Sequence, residues 1–338
     1  MRGYELSACT SRLAETESAA GVVVLSIIII NWNSCKYLRS CLNSIRSTTS
    51  DLIYEVVVVD NASFDGCAAM LASEFPETIL IQSEQNLGFA KANNLAVSKS
   101  SGRNLLFLNP DTVVMGSAIN NLVMVLENSP EIGMVGPRIL NSDLSLQTTC
   151  IMPVPTILNQ FLNIDVLRKF YTWRRLGSRF AQGNGPISVA AISGACMMVK
   201  RTAMEEIDHF CEDYFMYVED IDLCVRVRQA GWKVHHIRSA EIIHFGGGSS
   251  ALQTSNQFSS IMICESVLQF FLLRRGRWYA ALYRPTIAAT ALLHIIILTL
   301  LGFFSREQPR MTVPKAKWRN LLSWSLGRSA WSTGTGVS

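Results

Sequence analysis

From Val22 to Asp111 short runs of branched aliphatic residues alternate with segments of helical period. Val22 to Ile30 is apolar but for Ser26, and Asn33 or Ser34 is placed to cap a helix whose inward face carries Leu38, Leu42 and Ile45. Val56 to Val59, Ile79 to Gln82 and Leu105 to Leu108 read as further strands, with a second helix from Phe89 to Ser98. A strand buried on both faces shows no polar alternation, so helices must cover both sides of a parallel sheet. The predicted class is therefore α/β.

Beyond Asp111 the pattern loosens. Leu140 to about Gly185, with Pro153, Pro155, Tyr171, Trp173 and several arginines, has little periodicity and suits a lid or an acceptor-side insertion. Ile187 to Val199, interrupted by Ser193-Gly194, reads as a buried strand with a glycine of close approach. Ile221 to Ala230 reads as a helix stopped by Gly231, and Trp232 to Ile237 as a strand. Ile287 to Phe304 is nearly uncharged, interrupted by His294, and near the lower length limit for a membrane span. A single span, a re-entrant or surface-lying segment and a docked helix all stay open. The expected organisation is a flexible tail over 1–20, a catalytic domain over 21–255, and a helical, membrane-associated region with a basic tail over 256–338.

Charge changes this picture at one place. A net charge of +4 is too small to argue for nucleic acid. Arg274, Arg275, Arg277 and Arg284 precede the apolar stretch, and Arg306, Arg310, Lys315, Lys317 and Arg319 follow it, which favours an anionic membrane surface. Basic flanks on both sides leave orientation unset. The 9 cysteines are odd in number and lack any Cys-x-x-Cys pair, so neither a disulfide framework nor a zinc site is indicated and a reducing compartment is expected. The first twenty residues lack the basic start and apolar centre of a secretory signal, and Val22 to Ile30 is too short to span a bilayer.

Candidate chemistry gathers where strands end. Ligands of open α/β sheets bind beyond the carboxyl ends of the strands, and Asn31, Asp60 and Asp111 all stand there. Asp60 and Asn61 offer a carboxylate and an amide to a nucleoside. Asp111 is a natural ligand for a hard divalent cation. His244 can add a further ligand, and Mn²⁺ accepts imidazole more readily than Mg²⁺ does. Gly246-Gly247-Gly248 behind it would let backbone amides approach a diphosphate. In Tyr217-Val-Glu-Asp-Ile-Asp-Leu-Cys-Val-Arg226, Glu219 and Asp220 stand at a helix start, where the dipole favours ionised carboxylates. Asp222 and Arg226 are four apart and can pair. That leaves Asp220 as the preferred proton acceptor.

The ordered series Ser-Ile-Ile-Ile-Ile-Asn-Trp-Asn, Val-Val-Val-Val-Asp-Asn-Ala-Ser-Phe-Asp-Gly, Asn-Leu-Gly-Phe-Ala-Lys-Ala-Asn-Asn, Leu-Asn-Pro-Asp, Tyr-Val-Glu-Asp-Ile-Asp-Leu-Cys-Val-Arg and His-Phe-Gly-Gly-Gly-Ser resembles family 2 glycosyltransferases. It is most similar to the rhamnosyltransferase-like group of bacterial cell-envelope polysaccharide synthesis. The likeness covers about Val22 to Ser250. It implies a GT-A fold, a Rossmann-like mixed and mainly parallel sheet flanked by helices, with Mn²⁺ or Mg²⁺ as cofactor. It also implies inverting transfer from a dTDP- or UDP-sugar to a lipid-linked saccharide at the cytoplasmic face of the inner membrane. By motif matching, Asn31, Asp60 and Asn61 would line the nucleoside pocket, with Asn86, Gly88 and Asn94 beside it. Asp111 would bind metal, Asn109 standing where the family's Asp-x-Asp element has its first acid. Gly194 would face the donor sugar, Asp220 would be the general base with Glu219 at the acceptor, and His244 would reach the metal or diphosphate. A nucleotidyltransferase and a degenerate scaffold are the competing readings. The first would carry a basic Gly-rich loop where Asn31-Trp32-Asn33-Ser34 stands, and an oxidoreductase would need Gly-x-Gly-x-x-Gly there.

Overall fold

The computed structural model describes residues 22–49, 51–162, 185–246, 256–304 and 312–328. The expected N-terminal tail, Tyr171, Trp173, Gly247, Gly248, Arg306 and Arg310 lie outside these residues. The chain divides into two compact units: Met1–Val154 with Gln182–Phe215 and Glu219–Leu252, and Pro155–Ala181 with Met216–Val218 and Gln253–Ser338.

The first unit is built on a mixed sheet. In chain order its strands, with those of a small satellite sheet, are β1 (Leu25–Asn31), β2 (Tyr54–Asn61), β3 (Ile79–Ser83), β4 (Asn104–Leu108), β5 (Thr112–Met115), β6 (Ile132–Leu140), β7 (Ile151–Met152), β8 (Ile187–Ser188), β9 (Ala191–Ile192), β10 (Cys196–Lys200) and β11 (Lys233–His244). The order is β3-β2-β1-β4-β10-β6-β11-β5, with β8 pairing β11, while β7 and β9 form the satellite. β3, β2, β1 and β4 run parallel. β10 lies antiparallel between β4 and β6, and β6 runs parallel to β11.

The alternation of side chains across the pleat explains the layers. Leu25, Ile27, Ile29, Val56 and Val58 face a core that also holds Leu38, Leu42 and Ile45 of the Cys35–Thr48 helix and Leu122 and Leu126 of the Ala118–Asn128 helix. Ile28, Val57 and Val59 are equally buried on the opposite face, where the Gly88–Val97 helix packs on β1 and β2. Each such side chain, fully withdrawn from water, contributes roughly 1.5–3 kcal/mol. The run from Ile187 to Val199 is not one strand. It breaks into β8, β9 and β10, and the Ser193–Ala195 turn carries the chain from the satellite sheet to the centre of the main one. β11 continues well past Ile237 through a register shift against β6 between Ile237 and Glu241, an irregularity that carries Arg238 and Ser239 without ending the strand.

The second unit has an aromatic core of its own. Phe271 meets Tyr279 and Tyr283 edge-on at centroid distances of 5.1 and 5.2 Å, and Tyr283 meets Trp324 at 5.9 Å. Its helices include Asn256–Arg274, Tyr283–Phe304 and Thr312–Ser325. Thr156 caps Ile157–Phe161 with a reciprocal Asn159 bond, and Ile157 N–H donates to Tyr279 Oη at 3.0 Å. The stretch Arg277–Leu300, 24 residues, is long and apolar enough to cross a membrane. Leu292, Leu293, Ile296, Ile297 and Leu300 are exposed along it, as are Trp278 and Leu282.

Candidate active site

The carboxyl ends of β1 and β2 place Asn31 directly beside Asp60. The loop that follows β2 then folds back over them. Ser63 N–H donates to Asp60 Oδ1 at 3.2 Å, and Asn31 Nδ2 donates to Ser63 Oγ at 3.1 Å. Asn31 Oδ1 is buried and has no hydrogen-bond partner among the described residues. Such an acceptor is costly to leave empty and fits a ligand N–H. Asp65 has a role that its place in the motif did not disclose. Its two oxygens accept from Cys35 N–H at 2.7 Å and Cys67 N–H at 3.1 Å, so one carboxylate caps the helices Cys35–Thr48 and Cys67–Glu74 together.

Asn61, one residue on, is fully engaged with the next loop. It donates to Asn86 Oδ1 at 2.9 Å and accepts from Leu87 N–H at 2.8 Å, while Gly88 N–H also donates to Asn86 Oδ1 at 2.9 Å. Gly88 has φ +76°, and a Cβ there would lie 2.4 Å from Phe215 O, so only glycine fits. Asn94 binds a different segment: its amide donates to Phe210 O and Glu212 Oε1, both at 3.0 Å, and accepts from Phe210 N–H. Asn86, Gly88 and Asn94 thus brace the walls around the strand ends.

β4 ends at Leu108, and the turn to β5 carries Asn109 and Asp111. His244 closes β11, paired with Thr112. It is the last residue of a long strand, and this brings its Nε2 to 3.3 Å from Asp111 Oδ1. Asn109 Nδ2 stands 3.4 Å from the same ring nitrogen. On the other side of the ring Nδ1 is 2.8 Å from Oε1 of Gln147, a residue of the aperiodic stretch after Leu140. A carboxylate and an imidazole nitrogen this close form a donor pair suited to Mn²⁺. Among the described residues no group of three or more His, Cys, Asp or Glu side chains surrounds one point.

Asp220 lies in the first turn of the Glu219–Gln229 helix, which packs on β9 and β11. Its Oδ2 accepts from Gly194 N–H at 2.8 Å and its Oδ1 from Ile221 N–H at 2.7 Å. A Cβ on Gly194 would lie 3.2 Å from Asp220 Cβ and Oδ2, which identifies the close approach that the glycine permits. The next residue, Ala195, accepts from Asn109 N–H at 3.0 Å. One turn, Gly194-Ala195, therefore links the acid at the helix start to the Asn109–Asp111 turn.

The two acids are not equivalent. Burial pushes the Asp220 carboxyl above its usual range, and the Gly194 and Ile221 N–H groups pull it partly back. Burial, then the adjacent Asp220 charge, pushes Glu219 further, and its Oε2 is buried with no partner among the described residues. At Glu219 loss of water opposes the preference of a helix start for an ionised carboxylate. Both carboxyls are therefore pushed upward by burial, Glu219 with the adjacent Asp220 charge added and Asp220 with two backbone N–H donors working against the push. Asp222 is wholly buried and occupied elsewhere. It accepts from Tyr214 Oη at 3.2 Å and Arg226 Nε at 2.9 Å, and Arg226 reaches Ile207 O and His209 O, both at 2.6 Å. That pair pins the 207–209 turn.

The family model described as glycosyl transferase family 2 matches residues 26–208, more than half of the chain. The chain belongs to glycosyl transferase family 2. Among family relatives, the N-acetylglucosaminyl-diphospho-decaprenol L-rhamnosyltransferase of Mycobacterium tuberculosis is 25% identical over 290 residues, covering 81% of this chain and 93% of the relative. Rhamnosyltransferase WbbL of Escherichia coli is 24% identical over 226 residues, covering 65% and 82%. The mannosyltransferase PcManGT from Pyrobaculum calidifontis, solved in complex with GDP-Man and Mn²⁺, superposes with a TM-score of 0.53 at 14% identity, covering 96% of this chain and 97% of that one. The shared fold is GT-A, and the protein is a glycosyltransferase with rhamnosyltransferases among its homologues.

Proposed function

We propose that this glycosyltransferase moves a hexose, rhamnose first, with inversion, from a dTDP- or UDP-sugar to a hydroxyl of a lipid-linked saccharide at the cytoplasmic face of the inner membrane. The observation that carries the reading is the Gly194-Ala195 turn, hydrogen-bonded to Asp220 on one side and to Asn109 on the other. It sets a carboxylate base beside the turn that bears Asp111.

Asn31 and Asp60 receive the nucleoside, the empty Asn31 Oδ1 accepting an N–H of the base. Asp111 and His244 hold a divalent cation, which when bound neutralises charge on the departing diphosphate. Each Asp220 oxygen keeps a lone pair beyond the one facing its backbone donor. The acceptor hydroxyl gives its proton to that lone pair as its oxygen forms the bond to the anomeric carbon. The bond from that carbon to the diphosphate breaks on the opposite face, inverting the centre in one displacement. Glu219, the neighbouring carboxyl that burial pushes above its usual range, stands beside that base on the acceptor side. The names of the mycobacterial and Escherichia coli relatives support rhamnose, and the mycobacterial name supports a lipid-diphosphate acceptor. The exposed apolar residues of Arg277–Leu300 support attachment to the membrane that carries such an acceptor.

The test is a panel of dTDP- and UDP-sugars scored for thermal stabilisation with and without Mn²⁺, because a ligand held only by the folded state raises the melting temperature by mass action. A dTDP- or UDP-hexose that stabilises only with the metal is expected. Equal shifts for every nucleotide, with no metal effect, would overturn the reading.

A further inference from the structure

A directed chain of hydrogen bonds leads to His244 from the loop after β6. It begins at Asp143, whose carboxylate only accepts and is held below its usual pKa first of all by the Ser145 hydroxyl. Ser145 Oγ donates to Asp143 Oδ1 at 2.5 Å. Having spent its proton there, Ser145 Oγ must accept at its other contact, from Asn141 Nδ2 at 2.8 Å. Asn141 then presents Oδ1, which accepts from Gln147 Nε2 at 3.1 Å. Gln147 is left with Oε1 facing His244 Nδ1 at 2.8 Å. A carbonyl oxygen only accepts, so Nδ1 carries the proton. Nε2 then has a bare lone pair, turned toward the Asn109 amide at 3.4 Å and the Asp111 carboxylate at 3.3 Å.

We propose that Gln147 is a positioning residue that fixes the Nδ1–H tautomer of His244, so that Nε2 faces Asp111 as a ready metal ligand. The inference rests on the proposed metal-binding role of that pair. A histidine ligand whose second nitrogen donates to a fixed acceptor is oriented and made more basic, and loss of such an acceptor weakens metal binding about 10–100-fold. Gln147 itself sits in a segment anchored independently by its backbone N–H to Ile139 O at 2.8 Å, so the side chain can be changed without releasing the loop.

Two readouts test this. Nitrogen-15 shifts of the imidazole in the metal-free protein, at about pH 8.5 where an ordinary imidazole is neutral, report which nitrogen bears hydrogen. Mn²⁺ titration followed by the electron paramagnetic resonance of free ion gives the affinity. The wild type is expected as the Nδ1–H tautomer; the Nε2–H form there would overturn the proposal with no variant needed. Gln147→Met, close in size but with no acceptor, is expected to mix the tautomers and weaken Mn²⁺ about 10–100-fold, while Gln147→Glu keeps an acceptor and restores both. An unchanged tautomer and Mn²⁺ affinity within twofold in Gln147→Met would also overturn it. If Gln147→Met does not fold, Asn141→Leu, which frees the Gln147 amide to turn, takes its place with the same two outcomes. A wild type that binds no Mn²⁺ yet holds the Nδ1–H tautomer, lost in Gln147→Met, would sink the metal reading and leave the tautomer assignment standing.

Discussion

Replacing Asp220 by Asn changes one oxygen to an NH₂ and removes the charge. In the wild type both oxygens accept backbone protons, from Gly194 at 2.8 Å and Ile221 at 2.7 Å. The amide can satisfy only one of these donors and sets its NH₂ against the other, a loss of about 1–3 kcal/mol for the orphaned donor. Part of that is offset, because burial already penalises the Asp220 charge and the neutral amide escapes the penalty. The net change in stability is therefore expected to be small, about 1 kcal/mol or less. Catalysis has no such offset, since an amide nitrogen cannot take a proton at neutral pH, and kcat is expected to fall about 10²- to 10⁴-fold. Steady-state transfer with a fixed acceptor, alongside calorimetric titration of the donor, separates the effects. Donor affinity should stay within about twofold of the wild type, as expected for a group that acts only in the transition state. Turnover within threefold of the wild type, or a collapse of donor binding equal to the collapse in rate, would refute the role given to Asp220.

Other outcomes follow from the same geometry. Glu219 has its folded-state pKa raised above the ordinary 4.5, so the folded protein holds a proton that the unfolded chain releases, and stability is lost as pH climbs from that value toward the raised one. Glu219→Gln should therefore gain melting temperature relative to the wild type as pH rises above the ordinary carboxylate range in a fluorimetric scan, and a difference that does not change with pH would contradict the upward shift. Gly88→Ala meets both a left-handed backbone and Phe215 O, and should cost more than about 1–3 kcal/mol in denaturant unfolding; a loss under about 0.5 kcal/mol would be incompatible with that contact. Substituting Leu293, Ile296, Ile297 and Leu300 by Ser should release the full-length chain from sedimenting anionic vesicles while its far-ultraviolet dichroism is kept. Undiminished sedimentation would place the membrane contact elsewhere.

Positions governed by local chemistry were legible in the sequence. Asn31, Asp60 and Asp111 end or follow apolar runs, and the structure puts each at or just past a strand end. The Asp222–Arg226 pair follows from helical spacing alone. What was hidden depends on distant partners. Gln147 lies in an aperiodic stretch and meets a residue 97 positions away. Asp65 caps one helix two residues on and another thirty residues back. The predicted strand stops at Ile237, where the apolar residues end, whereas a register shift carries β11 on through Arg238 and Ser239. Ile187 to Val199 looked like one strand because apolar composition does not reveal that Ser193-Gly194 turns the chain from one sheet into another. The upward push on the Glu219 carboxyl is hidden for a related reason: a helix start favours a carboxylate, but only the fold shows how little water remains around it.

The most direct measurement is the anomeric configuration of the sugar after transfer, read by proton and carbon NMR of a product made from a donor of known anomer in the presence of Mn²⁺. The account has one ionised carboxylate acting as a base, with no covalent sugar on the chain, and so it predicts inversion. Retention of configuration would require a second displacement, and would contradict it.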